Sequence, residues 1–312
     1  MKLLFAGTPA NAARTLEWLL NSGHEVVAVL TRPDAPVGRK RVLTPSAVAA
    51  VAENAGLPVI KTSSVTPEVA QALSNTGAQL GVVVAYGALL KPFALQALPL
   101  GWINLHYSLL PAWRGAAPVQ RAILAGERET GVTVFQLDAG MDTGPVYTSV
   151  PTEIQPSENS QRLLERLTDL GLTALSEVLP QLESGLARAI PQSEAGASYA
   201  AKLTRTEALI DWKLPAKKLE RAVLAYNPEP VAYTMFDANP FRILDAVALP
   251  GQEFDTEPGR LILDPKRVLV VCGEGTLLQL RRVQPAGKSE MAAADWARGL
   301  SGKNLILGDA NA

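Results

Sequence analysis

Asn104 and His106 stand two residues apart in the run WINLHY (102–107), and Asp142 lies in the glycine- and proline-bearing run DAGMDTGP (138–145). Side chains along a strand alternate between faces, so residues two apart share one face. An amide, an imidazole and a carboxylate brought together can stabilise an oxyanion and move a proton. Each has a plainer reading alone. A lone histidine is more often a hydrogen-bonded structural imidazole, and an aspartate among glycines usually forms a turn. All three converging on strand ends is less readily explained as structure. A metal site is not expected, because His24 is the only other histidine and the carboxylates show no ligand spacing. Ser108 lacks the G-x-S-x-G setting of an activated nucleophile, and no residue suggests a covalent intermediate.

The elements that would position these residues follow from hydrophobic periodicity. KLLFAG (2–7) reads as a strand, and Ala12, Ala13, Leu16, Leu19 and Leu20 mark one face of a helix. HEVVAVL (24–30), LPVIK (57–61), LGVVVAYG (80–87), WINLHY and TGVTVFQLD (130–138) continue as strands. Helices are expected at 45–55, with Thr44 as N-cap, and near 66–75, 115–126 and 157–184. Apolar runs such as VVVA suit parallel strands covered on both faces. Residues 1–188 are therefore expected to form a Rossmann-like, doubly wound α/β domain with a parallel sheet, whose strand carboxyl ends bind ligands. Residues 189–206 have no clear period and read as a linker. Beyond a helix at 216–225, short strand-like runs separated by glycines predict a smaller, OB-like β-barrel domain over 207–312.

The 312 residues are 47% hydrophobic and 19% charged with a formal net charge of −1, an ordinary globular composition without an overall pull towards nucleic acid. Neither G-x-G-x-x-G nor G-x-x-x-x-G-K-[ST] occurs, which disfavours NAD and ATP. The single cysteine, Cys272, sits in the apolar run RVLVVCG and reads as a small buried hydrophobe, consistent with a reducing compartment. Gly7 and Pro9 interrupt the first apolar run before it reaches signal-peptide length, and no run is long enough to span a membrane. A cytoplasmic location without membrane association is expected.

NLHYSLLP (104–111) and DAGMDTGP together resemble the N-x-H-x-S-L-L-P and D-x-G-x-D-x-G elements of the folate-dependent formyltransferases. The resemblance continues through FAGTP near the start, VVVAYG (82–87), WRGAAPVQRAI (113–123), YAAKLTRTEALIDW and the closing GKSEMAAADWARG. Because it reaches into the second domain, it is strongest with the branch whose acceptor is methionyl-initiator tRNA. The resemblance implies 10-formyltetrahydrofolate as donor, without a metal. It implies Asn104 as donor to the formyl oxygen, and His106 as an oxyanion-stabilising imidazolium or proton carrier. Asp142 would orient the imidazole or relay the amine's proton. Ser108, Leu109, Leu110 and Pro111 would line the folate site, with Tyr86 and Gly87 near the pterin.

Residues 31–41 carry Arg32, Arg39, Lys40 and Arg41 against one acid, Asp34. Such a run is normally a solvated basic loop. Its likeness to the tRNA-contacting loop of the family implies that Arg39, Lys40 and Arg41 meet the acceptor end. Lys202, Arg205, Lys217, Lys218 and Arg221 are further candidates for phosphate contacts, although each taken alone reads as an ordinary surface charge. A monomer without a stable protein partner is expected. Two positions depart from the family pattern: Tyr107, where a small residue is commoner, and Glu229, where an aromatic is commoner. The first is expected to narrow the folate site. A sugar-nucleotide amine is the rival acceptor, and folate or tRNA binding without catalysis is the rival class.

Overall fold

The structure is a computed structural model that describes residues 1–38, 40–251, 254–264, 266–300 and 305–308. Its contacts divide the chain into two compact units. The first is made of Met1–Pro118, Glu129–Glu153 and Leu164–Ala201, and the second of Val119–Arg128, Ile154–Leu163 and Lys202–Ala312.

Through Ala200 the elements run β1 (Lys2–Gly7), α1 (Ala10–Leu20), β2 (Glu25–Thr31), β3 (Ala35–Val37), β4 (Val42–Thr44), α2 (Ala47–Asn54), β5 (Val59–Lys61) and α3 (Pro67–Ser74). They continue as β6 (Leu80–Val84), α4 (Pro92–Leu95), β7 (Trp102–His106), β8 (Arg114–Gly115), α5 (Pro118–Ala125), β9 (Glu129–Gln136), β10 (Val146–Glu153), α6 (Ser160–Glu183) and β11 (Tyr199–Ala200). The first unit is organised around a sheet of order β5-β2-β1-β6-β7-β9-β10. The first five of these strands are parallel, in the order expected of a dinucleotide-fold sheet. The parallel sheet expected from sequence is thus extended at one edge by β9, antiparallel to β7, and by β10, antiparallel to β9. All of β6 is buried, which explains its unbroken apolar run.

Two glycines set the depth of β7. A Cβ on Gly81 would lie 2.0 Å from Trp102 Cε3, so only glycine lets the indole lie against β6. Trp102 is fully buried and donates its Nε1–H to the Ala94 carbonyl at 2.8 Å. On the other face, a Cβ on Gly171 would lie 2.5 Å from Leu105 Cδ2, so α6 packs flush on the strand. Strand alternation then leaves Asn104 and His106 on the Trp102 face, at the carboxyl end of the sheet.

The second unit contains α7 (Ala216–Tyr226), β12 (Tyr233–Phe236), β13 (Asn239–Leu249), β14 (Leu261–Asp264), β15 (Arg267–Val271), β16 (Leu277–Pro285), β17 (Met291–Ala292) and α8 (Ala293–Ala297). Its strands pair antiparallel in the order β12-β13-β16-β15-β14, with β17 on β16. The segment Leu305–Gly308 spans the gap between the edge strands. Leu261 N–H donates to the Leu305 carbonyl, Leu307 N–H to Gly259 and Gly308 N–H to Met235. The sheet thereby curls back on itself around a core that includes Trp212, Leu219, Val223, Val268, Val270, Cys272, Leu278 and Leu280. Burial pushes the Cys272 thiol up to about 12, so it stays protonated and packs as a hydrophobe. The two earlier stretches of chain are tied into this unit. Ser160 Oγ donates to the Asn227 carbonyl at 2.8 Å, and Arg121 pairs with Glu207 at 3.0 Å.

Local details depart from the sequence reading. Helix α2 starts at Ala47, because Ser46 rather than Thr44 accepts the Ala49 N–H that caps it. Thr44 instead ends β4. The β3–β4 hairpin and β10 carry no strong period, since the hairpin's strand residues are exposed and β10 alternates imperfectly. Among the described residues, no helix is long and apolar enough to cross a membrane.

Candidate active site

A cavity of about 530 Å³ opens at the carboxyl ends of β6 and β7. Its lining includes the loop from Ala85 to Leu90, Asn104 to Tyr107, Gly115, Asp138 and Gly140 to Asp142. Asn104, His106 and Asp142, far apart in the chain, all face it. The Asn104 Oδ1 is buried and has no hydrogen-bond partner. Buried polar atoms are normally paired, so this amide is left with capacity for a group placed in the cavity.

His106 is 5% exposed, and its two nitrogens are distinguished by their neighbours. Nε2 lies 2.9 Å from the Trp113 carbonyl, which can only accept, so Nε2 carries a proton. Nδ1 lies 3.7 Å from Asp142 Oδ2, close enough for charge attraction but wider than a hydrogen bond. Nδ1 is therefore the ring nitrogen that faces the carboxylate, while Nε2 is taken up by the backbone carbonyl.

Asp142 is held from several sides. Its Oδ2 accepts the Gly115 N–H at 2.7 Å. Its backbone has φ +54°, in the left-handed region that aspartate tolerates better than most residues. Asp138 folds the loop beneath it, accepting from Gly140 N–H at 3.0 Å and Thr143 Oγ–H at 2.8 Å. A Cβ on Gly144 would fall 1.8 Å from the Gln136 carbonyl oxygen, so the chain can pass there only as glycine.

The segment Trp113–Gly115 touches both members of the pair, through the Trp113 carbonyl and the Gly115 N–H. It is fastened in turn to the chain around Ser198. Trp113 N–H donates to Ser198 Oγ at 2.9 Å, Arg114 N–H to the Ser198 carbonyl at 2.8 Å, and Ala116 N–H to the Ala200 carbonyl at 2.8 Å. Arg114, 1% exposed, donates through Nε and Nη2 to Gln192 Oε1 and also pairs with Glu194. The Gln192 amide nitrogen donates to the Asp142 and Gly144 carbonyls, both at 2.8 Å. Residues 189–206 thus include chain that contacts the site.

The other residues singled out from sequence are distributed differently. Tyr86 and Gly87 line the cavity. Burial pushes the Tyr86 phenol up, and it donates to the Thr62 carbonyl at 3.2 Å. The lining includes Tyr107 and Gly115 but none of Ser108, Leu109, Leu110 or Pro111. Ser108 is buried with its hydroxyl donating to the Ala112 carbonyl at 2.6 Å. Thr133 Oγ donates to the Ser108 carbonyl and accepts the Leu110 N–H, which anchors the turn. The Tyr107 hydroxyl is held by Asn11 and Thr168, so the ring's polar end points towards α1 and α6. Lys40 and Arg41 are exposed at the β3–β4 turn, Asp34 pairs with Lys61, and Arg39 lies outside the described residues. Glu229 is exposed. Among the described residues, no group of three or more His, Cys, Asp and Glu side chains is placed to hold a metal ion.

The sequence model described as formyl transferase matches residues 1–179, and that described as formyl transferase, C-terminal domain, matches residues 202–301. The chain belongs to the formyltransferase family. This formyltransferase is 48% identical over 299 residues to the methionyl-tRNA formyltransferase of Arthrobacter sp. (strain FB24), covering 96% of this chain and 97% of that one. It is 47% identical over 308 residues to that of Paenarthrobacter aurescens (strain TC1), covering 98% and 99%. Among solved structures, it is similar to an N-formyltransferase from Helicobacter canadensis in complex with folinic acid and dTDP-3-aminofucose. That match has TM-score 0.67 and 18% identity, and covers 91% of this chain and 99% of that one. A phosphoribosylglycinamide formyltransferase from Bacillus halodurans matches with TM-score 0.51 and 23% identity, covering 59% of this chain and 96% of that one. At these identities the structural likeness is one of fold.

Sequence reading placed Trp113, Arg114 and Gly115 within the resemblance without giving them a part in the site of this formyltransferase, and it passed over Gln192. Two of them act through backbone atoms, which no side-chain pattern announces. Arg114 and Gln192 read as ordinary polar residues until the fold brings residues 78 positions apart into hydrogen-bond contact.

Proposed function

We propose that this formyltransferase moves the formyl group of 10-formyltetrahydrofolate to the α-amino group of methionyl-initiator tRNA, giving formylmethionyl-tRNA for translation initiation. It does so as a cytoplasmic monomer. The observation that carries the reading is the likeness to relatives named methionyl-tRNA formyltransferase, at 47–48% identity through both units. A sugar-nucleotide acceptor draws on structural neighbours at far lower identity.

The chemistry is supported by the cavity. Attack of the amine on the formyl carbon turns the formyl oxygen into an oxyanion and leaves a proton to be removed from the nitrogen. The unpaired Asn104 amide is suited to that oxygen: turned about its terminal bond, a side-chain amide offers a donor in place of an acceptor at almost no change of shape. One donor of this kind contributes about 2.7–4 kcal/mol to the transition state. His106 Nδ1 takes the amine proton while Nε2 stays on the Trp113 carbonyl, and Asp142 steadies the imidazolium. The same proton then goes to the folate N10 as the bond from N10 to the formyl carbon breaks. The mostly apolar walls, with Leu89, Leu90, Leu95 and Leu137, suit a flat pterin and exclude water that would otherwise compete as nucleophile.

In this reading residues 1–188 hold the folate and do the transfer, 189–206 join the two parts, and 207–312 hold the tRNA. Ser108 to Pro111 support the folate site from behind its lining. The exposed Lys40 and Arg41 on the β3–β4 turn, with Arg39, meet the acceptor end as phosphate contacts. Formyl transfer from 10-formyltetrahydrofolate is measured with methionyl-initiator tRNA and, as control, methionyl-elongator tRNA. Transfer to the initiator alone is expected. Folate binding without transfer to either tRNA would overturn the acceptor and favour a sugar-nucleotide amine.

A further inference from the structure

Gln192 makes four hydrogen bonds and thereby uses the whole capacity of its amide. Its nitrogen donates to the carbonyls of Asp142 and Gly144, both at 2.8 Å, and its oxygen accepts from Arg114 Nε at 3.1 Å and Nη2 at 2.9 Å. These two carbonyls belong to the loop in which Asp142 adopts its left-handed backbone. Arg114 sits between the residue whose carbonyl holds His106 and the residue whose N–H holds Asp142. We infer that Gln192 is a positioning residue for formyl transfer, fixing the Asp142 carboxylate against His106 through the loop backbone, with buried Arg114 as its anchor.

The arrangement requires an amide. A glutamate at this position could still accept from Arg114, and would add a charge partner for it, but could not donate to two carbonyls. A methionine of similar length could do neither. The guanidinium also answers to Glu194, whose side chain is 79% exposed, so Arg114 keeps a charge partner when residue 192 is changed. The loop carbonyls have no such substitute from the residue at 192. Losing both donors frees the Asp142 backbone from its left-handed conformation and lets the carboxylate leave the Gly115 N–H.

This inference rests on the transfer chemistry proposed above, and its test separates the two. Q192E, Q192M and the unaltered enzyme are compared for kcat and folate KM with methionyl-initiator tRNA. In parallel, the Gly115 amide proton is followed by NMR in glycine-labelled protein. Misplacing a catalytic group by about 1 Å costs on the order of 10²-fold in rate, so kcat should fall by that factor in both variants with folate KM unchanged. The Gly115 resonance should move upfield as its bond to the carboxylate lengthens. Unaltered kcat and an unmoved Gly115 resonance in Q192E, with its fold intact by circular dichroism, would overturn the inference. The resonance needs no turnover, so it judges Gln192 even if the acceptor proposed above is wrong.

Discussion

Replacing Asp142 by asparagine changes the charge at the site and little else. Asparagine has the same shape, tolerates the left-handed backbone at φ +54°, and keeps an oxygen to accept the Gly115 N–H. What disappears is the attraction between the carboxylate and the imidazolium 3.7 Å away. The two side chains are 15% and 6% exposed, so solvent and salt screen the pair only weakly. With an effective dielectric constant of about 20, Coulomb's law over that distance gives about 4.5 kcal/mol. If the imidazolium forms in the transition state, kcat should fall by about 10³-fold, since about 1.4 kcal/mol corresponds to tenfold. Single-turnover transfer from saturating 10-formyltetrahydrofolate to methionyl-initiator tRNA measures this step, and thermal unfolding of the same preparation checks the fold. A D142N enzyme that kept kcat within about tenfold of the unaltered one would refute the reasoning, because an adjacent imidazolium could not then be what the carboxylate stabilises.

Truncating Asn104 to alanine should reduce kcat by about 10²–10³-fold with little change in folate affinity, as loss of one oxyanion donor does; equal losses in binding and rate would argue against that role. His106→Ala should abolish measurable transfer while circular dichroism stays unchanged, and near-normal activity would remove the imidazole from the mechanism. Gly144→Ala forces a Cβ to within 1.8 Å of the Gln136 carbonyl oxygen, so unfolding by heat should come earlier by the equivalent of about 1–3 kcal/mol and kcat should fall with it. Changing Lys40 and Arg41 to alanine should raise KM for the tRNA, leave KM for folate alone, and flatten the dependence of affinity on salt. Each phosphate contact contributes about 0.7–0.9 to that slope, and an unchanged slope would place the two residues away from the RNA.

Much of the first unit could be read in advance because its strands are buried on both faces. β1 and β6 announce themselves as apolar runs, and Asn104 and His106 share a face through simple alternation. What sequence could not supply was the partner of each atom. The Trp113 carbonyl decides which imidazole nitrogen is free, yet a carbonyl is common to every residue. The β3–β4 hairpin escaped because exposed Val37, Val42 and Leu43 lack the alternation that burial imposes. Residues 189–206 look unstructured since they satisfy their backbone one contact at a time. Ile190 bridges Val146, and Tyr199 and Ala200 pair with β8, giving no periodic signal.

The second unit draws on three separate stretches of chain, which has a consequence for anyone wishing to detach it. A fragment starting at Lys202 would match the C-terminal family model yet lack Ser160, whose hydroxyl serves the Asn227 carbonyl, and Arg121, which pairs with Glu207. The span that the C-terminal family shares and the span of the packed unit therefore do not coincide here. Shuffling the C-terminal part between relatives would therefore require carrying along the segments 119–128 and 154–163, which belong to the same unit. A fragment that also kept 119–128 and 154–163, joined by short linkers, is the form in which this unit could be expected to stand alone.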